Sequence, residues 1–288
     1  MTYRAERHFL LVIMIAVVIA WQSGPAFADT IVARNGDARL RVFSEGSGPA
    51  VVLLPGQGRG PEDFNILSKH LVSAGYRVVR PEPRGFGESV GPLENVFLRD
   101  LAADVAAAID AAGVAPAIMV GWAYGNRVAR MLASDKPQMV RGVVLLAAGG
   151  KFPAKPEVVA TLRKSQDKNL PLEVRAEAAR AVLYGPTSNL TALDMQLDNV
   201  STDTIKAQSF APQFGPLETW WDGGKAPMLV LQGLHDVIAP PENGRSLQRD
   251  HPERVTLVEF PELGHNITRE RPDLVAAAIV DWAGKLGQ

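Results

Sequence analysis

Continuous apolar runs alternate along most of the chain with stretches whose apolar residues recur every three or four positions. The runs include AVVLLPG at 50–56, AIMVGW at 117–122, GVVLLAAGG at 142–150 and APMLVLQG at 226–233. Such runs are typical of strands that are buried on both faces of a sheet. The stretches between them, such as LRDLAADVAAAIDAAG at 98–113, have helical spacing. This alternation predicts an α/β protein with a doubly wound, mostly parallel sheet.

Two regions depart from that rhythm. The stretch TIVARNGDARLRVFSEGSG at 30–48 predicts a hairpin around Asn35-Gly36 at the edge of the sheet. Residues 151–222 contain amphipathic helical stretches and no convincing strand. They predict a helical cap above the carboxyl ends of the strands, where ligands bind in such sheets. The core then consists of two parts, 29–150 and 223–288.

The first 28 residues have the three parts of a signal peptide. Arg4 and Arg7 precede the apolar run FLLVIMIAVVIAW at 9–21, and Ala26-Phe27-Ala28 follows as a cleavage site. The run is short for a bilayer span. We therefore expect residues 1–28 to be removed and the protein to be exported to a bacterial periplasm. The alternative is that this segment stays attached as an anchor, which is the one membrane contact that we expect.

Composition narrows the kind of ligand. The 288 residues carry a net charge of −1 and include no basic block, so nucleic acid is not an expected partner. The chain has no cysteine, which excludes disulfides, a thiolate nucleophile and cysteine-ligated metals. We expect a small-molecule substrate or ligand, with no cofactor and no metal.

Residues 121–126 read GWAYGN and lie between the apolar run at 117–122 and the helical stretch RVARMLASD. A strand, then glycine, three residues, glycine and a helix is the pattern of a nucleophile elbow, whose middle residue is normally serine. Here the middle residue is Ala123. A methyl group cannot attack a carbonyl carbon or hold a covalent intermediate.

Three further motifs follow predicted strands. LLPGQGRG at 53–60 is a glycine-rich loop, Asp236 lies in QGLHDVIAPPENG, and His265 lies in LGHNITRERPD. An elbow, then an acid, then a histidine is the chain order of α/β-hydrolases. With PRGFGES at 83–89, these motifs make the chain resemble the α/β-hydrolase superfamily, and its serine esterases and lactonases in particular, from about residue 31 to the C-terminus.

The resemblance implies the α/β-hydrolase fold and a role for four residues. Asp236 orients His265, His265 is the general base, and the backbone N–H groups of Gln57 and Tyr124 form the oxyanion hole. Two departures stand out. Pro55-Gly56 replaces the His-Gly of many relatives, and this change is tolerable because the oxyanion donor is a backbone group. Ala123 removes the nucleophile of the usual mechanism.

Candidate walls of the substrate pocket are aromatic: Trp122, Phe86, Trp220 and Trp221. Ordinary packing in the core or the cap is the other interpretation of each of these side chains.

The function that we expect is hydrolysis, or another base-initiated reaction, of a small apolar ester or lactone-like substrate. Asp236 and His265 would activate a water molecule that occupies the space left by the methyl group of Ala123. Two alternatives remain open: a non-catalytic binding protein, and a lyase or cofactor-free oxygenase. An alanine introduced to trap a ligand is a further explanation, and the retained N-terminal segment argues against it.

Export can be tested directly. If Ala26-Phe27-Ala28 is a cleavage site, mature protein from the native host begins at Asp29 and fractionates with the periplasm. N-terminal sequencing and intact-mass measurement of the fractionated protein check this. Full-length chain from Met1 in the membrane pellet would instead identify the apolar run as an anchor.

Overall fold

The computed structural model describes residues 29–209 and 214–286. The predicted signal peptide, residues 1–28, lies outside the described residues, as do positions 210–213 of the predicted cap. Within the described ranges no helix has the length and apolar character that crossing a membrane requires.

Eight strands of the described chain form one sheet. They are β1 (Asp29–Asn35), β2 (Ala38–Glu45), β3 (Ala50–Leu54), β4 (Arg77–Pro81), β5 (Ala117–Trp122), β6 (Val140–Leu146), β7 (Met228–Gly233) and β8 (Val255–Phe260). The α-helices are α1 (Asn65–Ser73), α2 (Leu98–Ala112), α3 (Tyr124–Asp135), α4 (Pro156–Gln166), α5 (Leu172–Leu183), α6 (Thr202–Ala207), α7 (Glu242–Asp250), α8 (Ile267–Glu270) and α9 (Pro272–Ala283).

The strand order is β1-β2-β4-β3-β5-β6-β7-β8. All pairs from β4 to β8 are parallel, whereas β2 pairs antiparallel with both β1 and β4. Asn35 is opposite Ala38, and Gly36 has a φ of 54° that favours glycine in the tight turn. The predicted doubly wound, mostly parallel sheet is therefore confirmed, and the hairpin lies at its edge.

Alternate residues of the central strands face opposite layers of helices, since successive side chains of a strand point to opposite faces. In β3, Val52 and Leu54 join the cluster that includes α2 and α3. Val51 and Leu53 join the cluster that includes α1 and α9. Every residue of β5 and β7 is buried. Burial on both faces explains why these strands are continuous apolar runs.

The segment between β6 and β7 contains α4, α5 and α6. Part of it has a small apolar cluster of its own, made of Ala176, Ala179, Tyr184, Met195 and Leu197. The limits 151–222 for a cap stay a prediction.

A buried carboxylate, Asp63, joins the segment between β6 and β7 to the rest of the fold. Arg59 Nε donates to Asp63 at 2.7 Å and Arg269 Nη2 donates to it at 2.7 Å, while the Asn199 amide donates at 3.2 Å. Burial alone would raise the pKa of Asp63, but the attraction of the two guanidinium groups outweighs it and holds the pKa below its ordinary value. Asp63 is therefore ionised and shared by two arginines.

Replacing Asp63 leaves both guanidinium groups buried without a counter-charge. We expect Asp63→Asn to lower the free energy of unfolding by about 3–5 kcal/mol at pH 7. Urea unfolding measures this. Asp273→Asn, which breaks the half-exposed pair with Arg271, is the matched control, and we expect it to cost less than about 1 kcal/mol.

The difference in stability between wild type and Asp63→Asn should also depend on pH. The folded-state pKa of Asp63 lies below its unfolded value, so its stabilisation is present above the unfolded pKa and is lost as the pH falls through the folded one. The stability gap between wild type and Asp63→Asn should therefore narrow below about pH 4. A gap that is constant from pH 7 to pH 3 would contradict the assignment.

Candidate active site

The motifs predicted from the sequence meet along one edge of the sheet. Leu54 of β3 is in register with Gly121 of β5, and Gly233 of β7 is in register with Phe260 of β8. The loops that follow these strands carry Gln57, Ala123, Asp236 and His265, respectively. Parallel strands with aligned carboxyl ends thus bring four distant stretches of sequence to a common place.

Ala123 occupies a strained turn between β5 and α3. Its φ of 50° and ψ of −107° lie outside the regions that residues with a Cβ prefer, at a cost of about 1–3 kcal/mol. Its N–H donates to the carbonyl of Leu146 at 3.0 Å, and its own carbonyl accepts from the N–H of Asn126 at 3.3 Å. These bonds hold the turn of the predicted nucleophile elbow around a side chain that is only a methyl group.

The two glycines that flank the turn are required for packing. A Cβ on Gly121 would collide with the backbone of Asn126, and one on Gly125 would collide with the carbonyl of Leu54. Neither glycine needs a positive φ, so the reason is the close approach of α3 to β5 and β3.

Asp236 and His265 form a buried pair. His265 Nδ1 lies 2.9 Å from Asp236 Oδ2 and 3.0 Å from Oδ1. The carboxylate also accepts the N–H groups of Ile238 at 2.9 Å and Ala239 at 2.7 Å, and the Gln232 amide at 3.1 Å. An ionised acceptor at Nδ1 places the proton there and leaves Nε2 as the acceptor of the neutral ring.

The loop of His265 is held from three sides. Trp122 Nε1 donates to the His265 carbonyl at 3.0 Å, and the two rings lie 5.7 Å apart between centroids. Glu270 accepts the N–H of Gly264 at 2.8 Å with one oxygen and the N–H of Gly185 at 2.7 Å with the other. One carboxylate therefore joins the histidine loop to the end of α5. Burial raises the pKa of Glu270 above its ordinary value, against the effect of these two N–H groups.

A cavity of about 350 Å³ opens above the turn. Its wall includes Gln57, Trp122, Ala123, Tyr124 and His265, so five of the predicted site residues face one space. The sheet side is completed by the loops after β6 and β7, and the opposite side is supplied by side chains of α4, α5 and the stretch 195–200. Most of these opposite side chains are apolar.

Three predicted pocket residues do not line this cavity. Phe86 lies over Gly60, where an added Cβ would collide with its ring. Trp220 and Trp221 lie on the buried guanidinium of Arg130, whose Cζ is 4.8 and 4.9 Å from their ring centroids. Cation–π packing thus accounts for the two tryptophans, and for all three side chains these contacts favour the packing interpretation.

His265 is the candidate base by the chemistry of its neighbours. Among described residues the cavity wall contains no aspartate and no glutamate. Burial raises the pKa of the wall residue Tyr184 to about 12 and raises that of Tyr124 further. Both phenols are therefore neutral near pH 7 and do not accept protons as phenolates. Imidazole is the remaining side chain of the wall that can accept one.

Several supporting residues escaped the sequence analysis. Gln232 is fully buried, and its amide oxygen accepts the N–H of Ala148 at 3.1 Å while its amide nitrogen donates to Asp236. Glu270 and Arg127 were also missed. A polar residue inside an apolar strand was the available signal for Gln232, since a buried amide needs partners. Glu270 left no comparable signal.

Comparison with known proteins agrees with the fold. The sequence model of the Alpha/beta hydrolase family matches residues 51–278, and the chain belongs to that family. It is 37% identical over 229 residues to pyrrolizixenacetamide deacetylase of Xenorhabdus hominickii, which covers 74% of this chain and 84% of that protein. It is 26% identical over 286 residues to 2-hydroxymuconate semialdehyde hydrolase of Pseudomonas sp. strain CF600, covering 91% and 95% of the two chains.

Solved structures show the same fold. An esterase from Thermogutta terrifontis superimposes with a TM-score of 0.73 at 23% identity, over 91% of this chain and 100% of that one. The enol-lactonase of Burkholderia xenovorans LB400 superimposes with a TM-score of 0.72 at 23% identity, over 88% and 100%. The family and the sequence relatives together support a hydrolase-type function.

The elbow geometry can be tested by adding the missing hydroxyl. We expect Ala123→Ser to raise hydrolysis of 4-nitrophenyl acetate at least about a hundredfold, since base and turn are in position. The gain should fall short of the roughly 10⁶-fold that a serine contributes in a site built around it. Stopped-flow absorbance should show a burst, and mass spectrometry should show organophosphate on residue 123.

The double variant Ala123→Ser/His265→Ala is the control, and it should lose both burst and labelling because the hydroxyl then lacks its base. A folded Ala123→Ser protein with neither activity nor labelling would show that residue 123 does not stand where a nucleophile stands.

Proposed function

We propose that the chain is an exported hydrolase that cleaves a small ester- or lactone-like substrate without a covalent enzyme intermediate. Asp236 and His265 act as the base, and the backbone N–H groups of Gln57 and Tyr124 act as the oxyanion hole. Water replaces serine as the nucleophile.

The observation that carries this proposal is the 2.9 Å hydrogen bond between His265 and Asp236 beside a turn that lacks a nucleophile. Three N–H donors fix the position of the Asp236 carboxylate, and a carboxylate held at Nδ1 keeps imidazole in the tautomer that a general base requires. The strained backbone of Ala123 supports the same view, because strain of this kind is found at functional sites.

The proposed reaction needs one water molecule and no other reactant. His265 Nε2 accepts a proton from water while the water oxygen bonds to the substrate carbonyl carbon. The resulting oxyanion receives hydrogen bonds from the N–H groups of Gln57 and Tyr124. When the tetrahedral intermediate collapses, the bond to the leaving oxygen breaks and the proton on His265 passes to that oxygen. The products are a carboxylic acid and an alcohol, joined in one molecule if the substrate is a lactone.

The inert methyl group of Ala123 favours a second candidate, a binding protein that retains a hydrolase pocket. In that case ligands bind with no turnover, and His265 contributes only to packing and affinity.

Variants of His265 separate the two candidates. If His265 is the base, His265→Ala should lower kcat for a hydrolysed ester or lactone by about 10²–10⁴-fold, the usual contribution of a general base. Affinity for the product acid should change only a few-fold. Asp236→Asn should also lower kcat, because an amide that donates to Nδ1 selects the wrong tautomer. Steady-state kinetics and calorimetric titration measure these effects.

His70→Ala is the matched control, since His70 is exposed in α1 and does not line the cavity. Its kcat should equal that of wild type. Equal turnover of wild type and His265→Ala would remove the dyad from the mechanism. If wild type binds ligands tightly but hydrolyses nothing in a panel of esters and lactones, the second candidate, a binding protein, is established.

A further inference from the structure

Arg127 is the unusual member of the cavity wall. It lies on α3 four residues after Ala123, and four residues correspond to about 6 Å along a helix and to nearly the same face. Its side chain faces the cavity together with Gly149 and Gly150. A methyl group placed on Gly149 would lie 3.8 Å from Arg127 Nη2. The guanidinium group is therefore near the candidate chemistry and on the sheet side of the cavity.

Nothing in the described part of the chain neutralises this group. No carboxylate there comes within 4.0 Å of it, and its Nε is buried without a hydrogen-bond partner among those residues. The ring of Phe214 packs on it, 4.5 Å from Cζ to centroid. A cation–π contact leaves the N–H groups in the plane of the guanidinium without acceptors.

Arg130 and Arg59, the other arginines that lie close to Arg127 or in the cavity wall, both have hydrogen-bond acceptors. Arg130, one turn further along α3, donates to three carbonyl oxygens and to the Asn126 side chain. Arg59 reaches the cavity wall but is bound to Asp63, which it shares with Arg269. Arg59 thus shares one anion with a second cation, whereas Arg127 has no anion among the described residues. The described residues of the wall include no acidic side chain.

A partly buried guanidinium whose Nε lacks an acceptor is costly, and burial lowers the pKa of Arg127. A ligand that brings its own anion removes that cost. The fork of N–H donors in arginine matches the two oxygens of a carboxylate.

We propose that Arg127 binds a carboxylate group of the substrate, so that the cavity takes a small organic acid whose scissile carbonyl is held over Ala123. This deepens the proposed function by naming the substrate class and, as a statement about substrate, rests on it. The apolar side chains of α4 and α5 would then cover the uncharged body of the molecule, while the anion lies on the side of the sheet. The small apolar ester or lactone-like substrate expected from the sequence would then carry one anionic group.

Calorimetric titration with matched acids and amides tests the proposal without any turnover. The probes are phenylacetate, 3-phenylpropionate and 4-phenylbutyrate, each beside its uncharged primary amide. In wild type at pH 7 we expect the best acid to bind at least about tenfold tighter than its amide, as for a charge-assisted hydrogen bond. Arg127→Met, which keeps length and removes charge, should abolish that preference. Arg127→Lys should retain part of it.

Arg163→Met is the matched control, because Arg163 is exposed in the last turn of α4, and its preference should equal that of wild type. Thermal unfolding checks that each variant is folded, and Arg127→Lys carries the test if Arg127→Met is not. The proposal is overturned if acids and amides bind wild type equally, if no acid binds, or if the Arg127 variants keep the full preference. Tighter binding of phenylphosphonate than of every carboxylate would overturn the assignment to a carboxylate.

Failure of this inference is distinct from failure of the proposed function. Turnover of neutral esters without any preference for acids would retain the hydrolase and remove the role of Arg127. A preference for acids in a protein that hydrolyses nothing would retain the role of Arg127 and remove the hydrolase.

Discussion

The close approach of α3 to the ends of β5 and β3 is the constraint on which the site depends. With no Cβ at Gly125, the start of the helix lies against the carbonyl of Leu54, so the loop after β3 and the turn after β5 become neighbours. The turn must then pass through the strained conformation of Ala123. This one contact sets the positions of Gln57, Tyr124 and the cavity floor. A bulkier residue at Gly121 or Gly125 would separate them.

Desolvated arginines lie around the cavity floor, and the charge of each is stabilised in a different way. Arg130 is completely buried without a carboxylate, and carbonyl oxygens and two indole rings surround it. Arg59 shares Asp63 with another guanidinium group. Burying a cation is tolerable when dipoles, rings or a shared anion replace water. Positive charge therefore collects beside a cavity whose wall, over the residues that the structure describes, includes no carboxylate.

Much of the architecture could be predicted because its causes are local. Strands buried on both faces must be apolar runs, and the turn at Gly36 and the glycine pattern around Ala123 have their own local signatures. The positions of Trp220, Trp221 and Phe86 could not be predicted in this way. Their surroundings come from residues far away in sequence, such as Arg130 and Gly60. Arg127 could have been noticed from its spacing to Ala123, but only the folded chain shows which arginines lack a carboxylate.

Glu270 gives the site a mechanical property. Its two oxygens bind the N–H of Gly264, next to the candidate base, and the N–H of Gly185, just after α5. The Asn266 N–H also donates to the Leu183 carbonyl at 2.8 Å. These bonds couple the end of α5 to the loop of His265. An outward movement of α5 at this end would therefore also displace His265.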